Sequence, residues 1–319
     1  DDIVKLPFTE KHELREAQQS SPPVGRHRAC SEEDLSRVYS SSGTTGVPTY
    51  IGLTQHDIHN VHAEAIARVC WMGGVRPQSK VVNIPTAPFI ADTFREGIER
   101  TGATNIPVGF NVDRCIAAYQ YQGADALHAT VSFWSYFLGE LEKKGIDPKS
   151  LGLRTIIGGA EGGAKLVRKR IEESFGATAI EGMGMGEMSC VIWRECVEDR
   201  GNGMHYIAQG NVHVELIDPV TLESKTIREG AEGELVYSAL HSQAMPLLRY
   251  RSRDNVRILT TDKCVCGRTG FRIEVLGRTD DMLTILGVNV YPLAIRDVVS
   301  TMKPAVSGAI EIQLEKPGP

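Results

Sequence analysis

The chain has 319 residues, 41% hydrophobic and 24% charged, with a formal net charge of -5. That balance suits a globular protein able to build a large core in two or more lobes, and it excludes the basic footprint of a nucleic-acid binder. No apolar run approaches the roughly 20 residues that cross a bilayer, and the opening Asp1-Asp2-Ile3-Val4-Lys5-Leu6-Pro7-Phe8 lacks the basic end and apolar stretch of a signal peptide.

A cytoplasmic, reducing setting is therefore expected. Seven cysteines are too few, and odd in number, for a disulfide scaffold. Cys30, Cys70 and Cys115 stand alone and are read as inert thiols.

In chain order, the first forty residues predict an irregular lead-in and a short helix over 32–38. Tyr39-Ser40-Ser41-Ser42-Gly43-Thr44-Thr45-Gly46-Val47-Pro48-Thr49 forms a glycine- and hydroxyl-rich loop, with a strand over 49–53 behind it. Thr54 and Asp57 have the spacing of a capping box. Ile58, Val61, Ala65, Ile66 and Val69 give the helix that follows one apolar face. Strand and helix signals then alternate: strands at 80–84, 105–108, 126–130, 153–157 and 177–181, helices at 93–101, 133–144 and 164–175. Such alternation predicts an α/β fold with parallel sheet covered by helices.

Beyond about residue 205, short alternating segments at 212–217 and 233–237 read as a smaller β-rich lobe. The expected organisation is an α/β body over 1–204, a β-rich subdomain over 205–279, and a hinge with the truncated start of a further domain over 280–319. The tail 315–319 interrupts a strand-like pattern that begins at Gly308, which predicts a fragment.

The loop Ser40 to Gly46 has the composition to grip a polyphosphate, since glycines let backbone amides converge and hydroxyls add donors. The common P-loop pattern is absent, and composition alone equally allows a solvated turn. The string Ser41-Ser42-Gly43-Thr44-Thr45-Gly46-Val47-Pro48, however, resembles the phosphate loop of the adenylate-forming superfamily of acyl-CoA synthetases, nonribosomal peptide adenylation domains and luciferases. Val47 and Thr49 stand where many members carry lysine, and the Pro48-Thr49 ending is shared with the phenylacetate–CoA ligase branch.

Further blocks follow in that family's order. Phe8-Thr9-Glu10-Lys11-His12-Glu13-Leu14-Arg15 and Gly158-Gly159-Ala160-Glu161 resemble two of its segments. Glu181-Gly182-Met183-Gly184-Met185-Gly186-Glu187 stands at its aromatic-Gly-x-[ST]-Glu motif, and Pro246-Leu247-Leu248-Arg249-Tyr250-Arg251-Ser252-Arg253-Asp254 is similar to "PLIRYRTGD". Gly277-Arg278-Thr279-Asp280-Asp281 resembles the hinge block, continued at Gly287-Val288-Asn289-Val290-Tyr291-Pro292. The resemblance spans essentially the whole chain.

It implies the N-terminal domain of an adenylate-forming enzyme, with most of the mobile C-terminal domain beyond Pro319. The implied reaction joins a carboxylic acid, aryl or arylacetic in most relatives, to AMP, and a thiol of CoA then displaces the AMP. The resemblance places ATP against Ser41, Ser42, Gly43, Thr44, Thr45, Gly46, Gly159, Ala160, Glu161, Met183, Gly184, Asp254 and Arg278.

Each role has a chemical reason. Glu187 suits Mg²⁺, which favours carboxylate and phosphate oxygens. Asp254 suits the ribose hydroxyls, and Arg278, always charged and a multiple donor, suits the ribose–phosphate side. Trp134, Tyr136 and Gly182 are pocket candidates for the acid, and Asp280 is the hinge. Met183 replaces an aromatic residue against adenine, and Gly186 replaces a hydroxyl-bearing residue, which removes one phosphate contact. A chain so truncated is expected to adenylate slowly or not at all.

Two other readings remain: transfer of the acyl group to a carrier-protein phosphopantetheine, and a nucleotide- or acyl-adenylate-binding protein without thioester chemistry. A homodimer is compatible with any of them.

Cys196, His205, Cys264 and Cys266 would make a closed Cys₃His zinc site, against unrelated thiols and a surface histidine. The Glu195-Cys196 and Cys266-Gly267-Arg268 contexts resemble a zinc-holding arrangement of some phenylacetate–CoA ligases. His56, His59 and His62 are read as solvated helix residues, and Phe133, Trp134, Tyr136 and Phe137 chiefly as core.

Overall fold

The computed structural model describes residues 2–41, 48–84, 91–159 and 164–281, then 283–285, 288–292 and scattered positions to 312. Ser42, Gly43, Thr44, Thr45, Gly46, Ala160 and Glu161 lie outside the described residues.

The N-terminal segment carries α1 (Lys11–Ser20), started by a capping box between Glu10 and Glu13, where an irregular lead-in was expected. A helix over 32–38 does not form. A turn closed by Leu35 N on Glu32 O leads instead into β1 (Arg37–Ser40), which pairs antiparallel with β2 (Tyr50–Leu53). Cross-strand pairing outweighs the weak local helix pattern there. The glycine-rich loop is thus the connection of a β-hairpin, with Ser40 opposite Tyr50.

Thr54 N donates to Asp57 Oδ2 at 2.9 Å and Asp57 N to Thr54 Oγ1 at 3.1 Å, which makes the expected capping box. A π-helical turn, Asp57–His62, precedes α2 (Ala63–Met72). The wider turn carries His62 into the interior, so the solvated reading of that histidine is corrected. His59 stays exposed and His56 is half-buried.

The body alternates as β3 (Lys80–Asn83), α3 (Ala91–Arg100), β4 (Thr104–Pro107), α4 (Val112–Gln122), β5 (Ala126–His128), α5 (Val131–Lys143), β6 (Thr155–Gly159), α6 (Ala164–Phe175) and β7 (Thr178–Met185). Its strands run parallel in the order β4-β3-β5-β6-β7, as helical crossovers require.

The sheet then turns antiparallel through β8 (Cys190–Arg194), β9 (Met204–Tyr206), β10 (Val212–Ile217), β11 (Ser224–Lys225), β12 (Glu232–Ala239), β13 (Tyr250–Thr260) and β14 (Arg272–Arg278). Among the described residues these form one sheet of twelve strands, ordered β11-β10-β12-β13-β14-β9-β8-β7-β6-β5-β3-β4. Residues 204 and 205 lie inside β9, which pairs with both β8 and β14. A separate hairpin, β15 (Leu283–Ile285) with β16 (Val288–Val290), follows residue 280. Among the described residues, no helix is long and apolar enough to cross a membrane.

One core fills the layer under α4, α5 and α6, another lies under α2 and α3, and a third packs the antiparallel half. Burial pushes the thiols of Cys70 and Cys115 up to about 12, consistent with inert residues.

The chain start is stitched to β13. Thr9 N donates to Arg249 O and Arg251 N to Thr9 O, each at 3.0 Å, and the Arg249 guanidinium lies 4.1 Å from the Phe8 ring centroid. Buried forks complete the join: Arg249 on Glu215, and Arg251 on Glu234.

Candidate nucleotide site

At the base of the glycine-rich loop, Thr49 is fully buried. Its Oγ1 lies 2.9 Å from Ser41 Oγ and 3.1 Å from Glu187 Oε1, and Ser41 N donates to Thr49 O at 2.7 Å. The loop is thereby closed by the residue that also touches the carboxylate. Glu187 sits in a single 3₁₀ turn after β7, 6% exposed, with Lys11 Nζ 2.9 Å from Oε1. Contact with that carboxylate and burial raise the Tyr250 hydroxyl well above its ordinary value, burial being the larger cause. A buried carboxylate so held, with the hydroxyls of Thr49 and Ser41 next to it, is a donor set that fits Mg²⁺ bound to phosphate.

Across the antiparallel half, Asp254 and Arg278 are register partners in β13 and β14, and Arg278 Nη1 lies 3.5 Å from Asp254 Oδ1. Asp254 N donates to Ser252 Oγ at 3.0 Å. Burial pushes Asp254 up to about 6, against the pull of Arg278. The other edge of Arg278 holds the exposed Asp280 with two bonds, at 2.9 and 2.8 Å.

The parallel strands β6 and β7 run side by side up to a glycine pair. Gly159 is opposite Gly182, and a Cβ on Gly159 would lie 2.4 Å from Gly182 O. A Cβ on Gly158 would lie 1.9 Å from Trp134 Cζ2, so only glycine lets this strand pass over the indole. Trp134 is wholly buried, with Nε1 donating to Ala129 O at 3.2 Å. Tyr136 faces away from that core: it is 54% exposed and packs edge-on against Phe133. Met183 is half-buried opposite Trp193, and Gly184 is exposed.

The sulfur cluster is separate. Cys196 follows β8, His205 lies in β9, and Cys264 and Cys266 occupy the turn between β13 and β14. Their ligand atoms all lie within 4.8 Å of one another. Cys196 Sγ is 3.8 Å from Cys264 Sγ, and Cys266 Sγ is 3.8 Å from His205 Nε2. Bonds of about 2.3 Å to a tetrahedral ion place two sulfurs about 3.8 Å apart, so the spacing fits zinc and is far too long for a disulfide. His205 Nδ1 faces Gly270 O at 3.4 Å, which leaves Nε2 free to meet a metal ion.

Sequence reasoning did not single out Lys11, Tyr250 or Arg194. Lys11 and Tyr250 lie inside family-like blocks, which was the available signal. Arg194 had no signal beyond being a charge in an apolar strand, Cys190-Val191-Ile192-Trp193-Arg194.

A glycine-rich connection between β1 and β2, a buried carboxylate bonded to Thr49 at its base and an Asp–Arg pair in the antiparallel half are features that suit an α/β nucleotide-binding protein. The comparisons agree. The family model described as AMP-binding enzyme matches residues 2–242. The chain is 36% identical over 304 residues to a phenylacetate-coenzyme A ligase of Thermus thermophilus, covering 94% of this chain and 66% of that protein. It is 36% identical over 322 residues to the phenylacetate-coenzyme A ligase of Pseudomonas putida, covering 100% and 70%.

Among solved structures, an open conformation of 2-hydroxyisobutyryl-CoA ligase in complex with 2-HIB-AMP and CoA superposes with a TM-score of 0.83 at 28% identity, covering 94% of this chain and 70% of that one. ATP-bound MatB of Rhodopseudomonas palustris, at 19% identity and a TM-score of 0.63, shares the fold. The chain belongs to the AMP-binding enzyme family, in its phenylacetate–CoA ligase-like branch. It spans 66% to 70% of the length of these two curated relatives.

Proposed function

We propose that the protein activates a carboxylic acid with ATP, forming an acyl-adenylate and pyrophosphate, and that the thiol of CoA then displaces AMP. The observation that carries this reading is Thr49, which joins the base of the glycine-rich loop to Glu187 in one hydrogen-bonded unit. Phosphate groups and the carboxylate that would hold their Mg²⁺ are thereby kept in fixed relation, and positioning of that kind is most of what phosphoryl-group chemistry asks of a protein.

When bound, Mg²⁺ would neutralise phosphate charge, held by Glu187. Asp254 accepts hydrogen bonds from the ribose hydroxyls, and Arg278 faces the ribose–phosphate side. Gly159, Gly182, Gly184 and Met183 border the adenine and acyl groups, with Trp134 packed beneath Gly158. Asp280, exposed and clasped by Arg278, is the hinge about which a following domain turns.

The Cys196, His205, Cys264 and Cys266 cluster is proposed as a structural zinc site tying β8 and β9 to the turn before β14, with no open position for chemistry. CoA is preferred to a carrier-protein thiol as acceptor because the family members named above are CoA ligases.

Calorimetry of this chain with AMP and MgATP, followed by acid-dependent pyrophosphate release from a full-length version over a panel of aryl and aliphatic acids, tests the reading. Nucleotide binding with release for one acid class is expected. A chain that binds neither nucleotide overturns it.

A further inference from the structure

The corner of β6, β7 and β8 holds a charged group that nucleotide binding leaves unused. Arg194 ends β8 and is 1% exposed. Its Nη1 donates to Gly158 O at 3.0 Å, while Nε and Nη2 are buried and have no hydrogen-bond partner among the described residues. Those two nitrogens share one edge of the guanidinium, with parallel N–H bonds spaced to meet both oxygens of a carboxylate.

Elsewhere in this chain the same edge is filled in that way. Arg249 closes it on Glu215 at 3.1 and 3.0 Å, Arg251 on Glu234 at 2.9 and 2.8 Å, and Arg278 on Asp280 at 2.9 and 2.8 Å. The nearest carboxylate in sequence does not serve Arg194. Glu195 accepts from Arg168 at 2.6 Å, from Glu181 N at 2.9 Å and from Gly201 N at 3.2 Å. His128, set against Asn83 and stacked on Phe94, is kept neutral by burial and by Arg194, so it adds no second positive charge there. A buried guanidinium with an empty edge is costly, and a protein retains one where something else completes it.

The place of that edge says what completes it. Arg194 is the register partner of Gly182, which in turn pairs with Gly159, and a Cβ on Gly182 would lie 2.9 Å from Arg194 Cδ. These glycines are the last pair of the parallel β6–β7 ladder, on the side where open α/β sheets take their ligands. Resting on the adenylation reading above, we propose that the acid carries a second carboxylate, which closes the Nε–Nη2 edge of Arg194 while the first carboxylate is joined to AMP.

The test uses acyl-sulfamoyl-adenosines, stable mimics of the acyl-adenylate, in pairs that differ only in a terminal carboxylate or its methyl ester. Pairs built on aliphatic and on aryl acids are titrated calorimetrically into the unsubstituted chain, with AMP alone as reference. In one chain-length class the free carboxylate binds about 10- to 100-fold tighter than its ester, the range expected for a charge-assisted fork. Arg194→Met abolishes that ratio, and Arg194→Lys, which keeps charge without the fork, restores part of it.

Equal affinities within every pair overturn the proposal with no variant required, and so does a preference that survives Arg194→Met. Failure of AMP itself to bind overturns the adenylation reading instead.

Discussion

Asp254 and Arg278 face each other in register across β13 and β14, 3.5 Å apart, while the far edge of the same arginine clasps Asp280. One guanidinium therefore links the residue placed at the ribose to the residue placed at the hinge. Its pull on Asp254 is smaller than the effect of burial, and the carboxyl is left titrating at about 6.

That value sets a pH dependence. Ribose hydroxyls need an ionised Asp254 as acceptor, so adenosine affinity should fall as pH drops through about 6 and level off above it. Adenosine has no phosphate to titrate in that range, and calorimetry between pH 5 and 8 reads the change. Asp254→Asn should bind weakly at every pH with a flat profile. The folded state also holds this proton more tightly than the unfolded chain does, so the group's contribution to stability is present at low pH and lost as pH rises from 3.8 through about 6.

Glu187→Gln should remove the Mg²⁺-dependent part of ATP binding. Affinity measured with Mg²⁺ should fall to the level seen with chelator, a loss of about 2 kcal/mol for a charged contact. An unchanged Mg²⁺ response would place the metal elsewhere.

The purified chain should contain one zinc per molecule by atomic absorption. Cys266→Ser should lower the zinc content and the melting temperature together. Chelator should lower the melting temperature of the unsubstituted chain and leave that of the variant nearly unchanged, since binding to the folded state alone stabilises it. A metal-free chain with the same melting temperature would rule out a zinc staple.

Gly158→Ala forces a Cβ to within 1.9 Å of Trp134 Cζ2. Overpacking of this kind should cost about 1–3 kcal/mol in urea unfolding. Trp134→Phe in the same background should recover part of the loss, because the smaller ring withdraws from the strand.

Arg251→Met leaves Glu234, which is wholly buried, without its fork. A loss of about 3–5 kcal/mol is expected. Adding Glu234→Leu should restore a large part of it, and a double-mutant cycle measures the coupling.

Much of the parallel half was legible. Ile58, Val61, Ala65, Ile66 and Val69 mark a face that is buried as read, and α6 (Ala164–Phe175) lies at its expected bounds. The misreadings share a cause. Arg37–Ser40 became a strand because β2 lies beside it, and His62 turned inward because a π-turn shifted the helical phase. Neither neighbour nor phase shift leaves a mark in local periodicity.

What the sequence by itself determined was chemistry held in short blocks: a glycine- and hydroxyl-rich loop, one glutamate after a glycine run, an Asp and an Arg in arginine-rich segments, and four zinc-type ligands. Their order along the chain was enough to suggest the family.

The tertiary structure alone decided which of these groups touch. Thr49 meets Glu187 across 138 residues, and Arg249 meets the chain start across 243 at Leu6 O. Such contacts depend on strand order, which residue periodicity does not encode. The empty edge of Arg194 belongs to the same class. A charge in an apolar strand is visible in the sequence, but only the packed sheet shows that, among the described residues, no carboxylate reaches it.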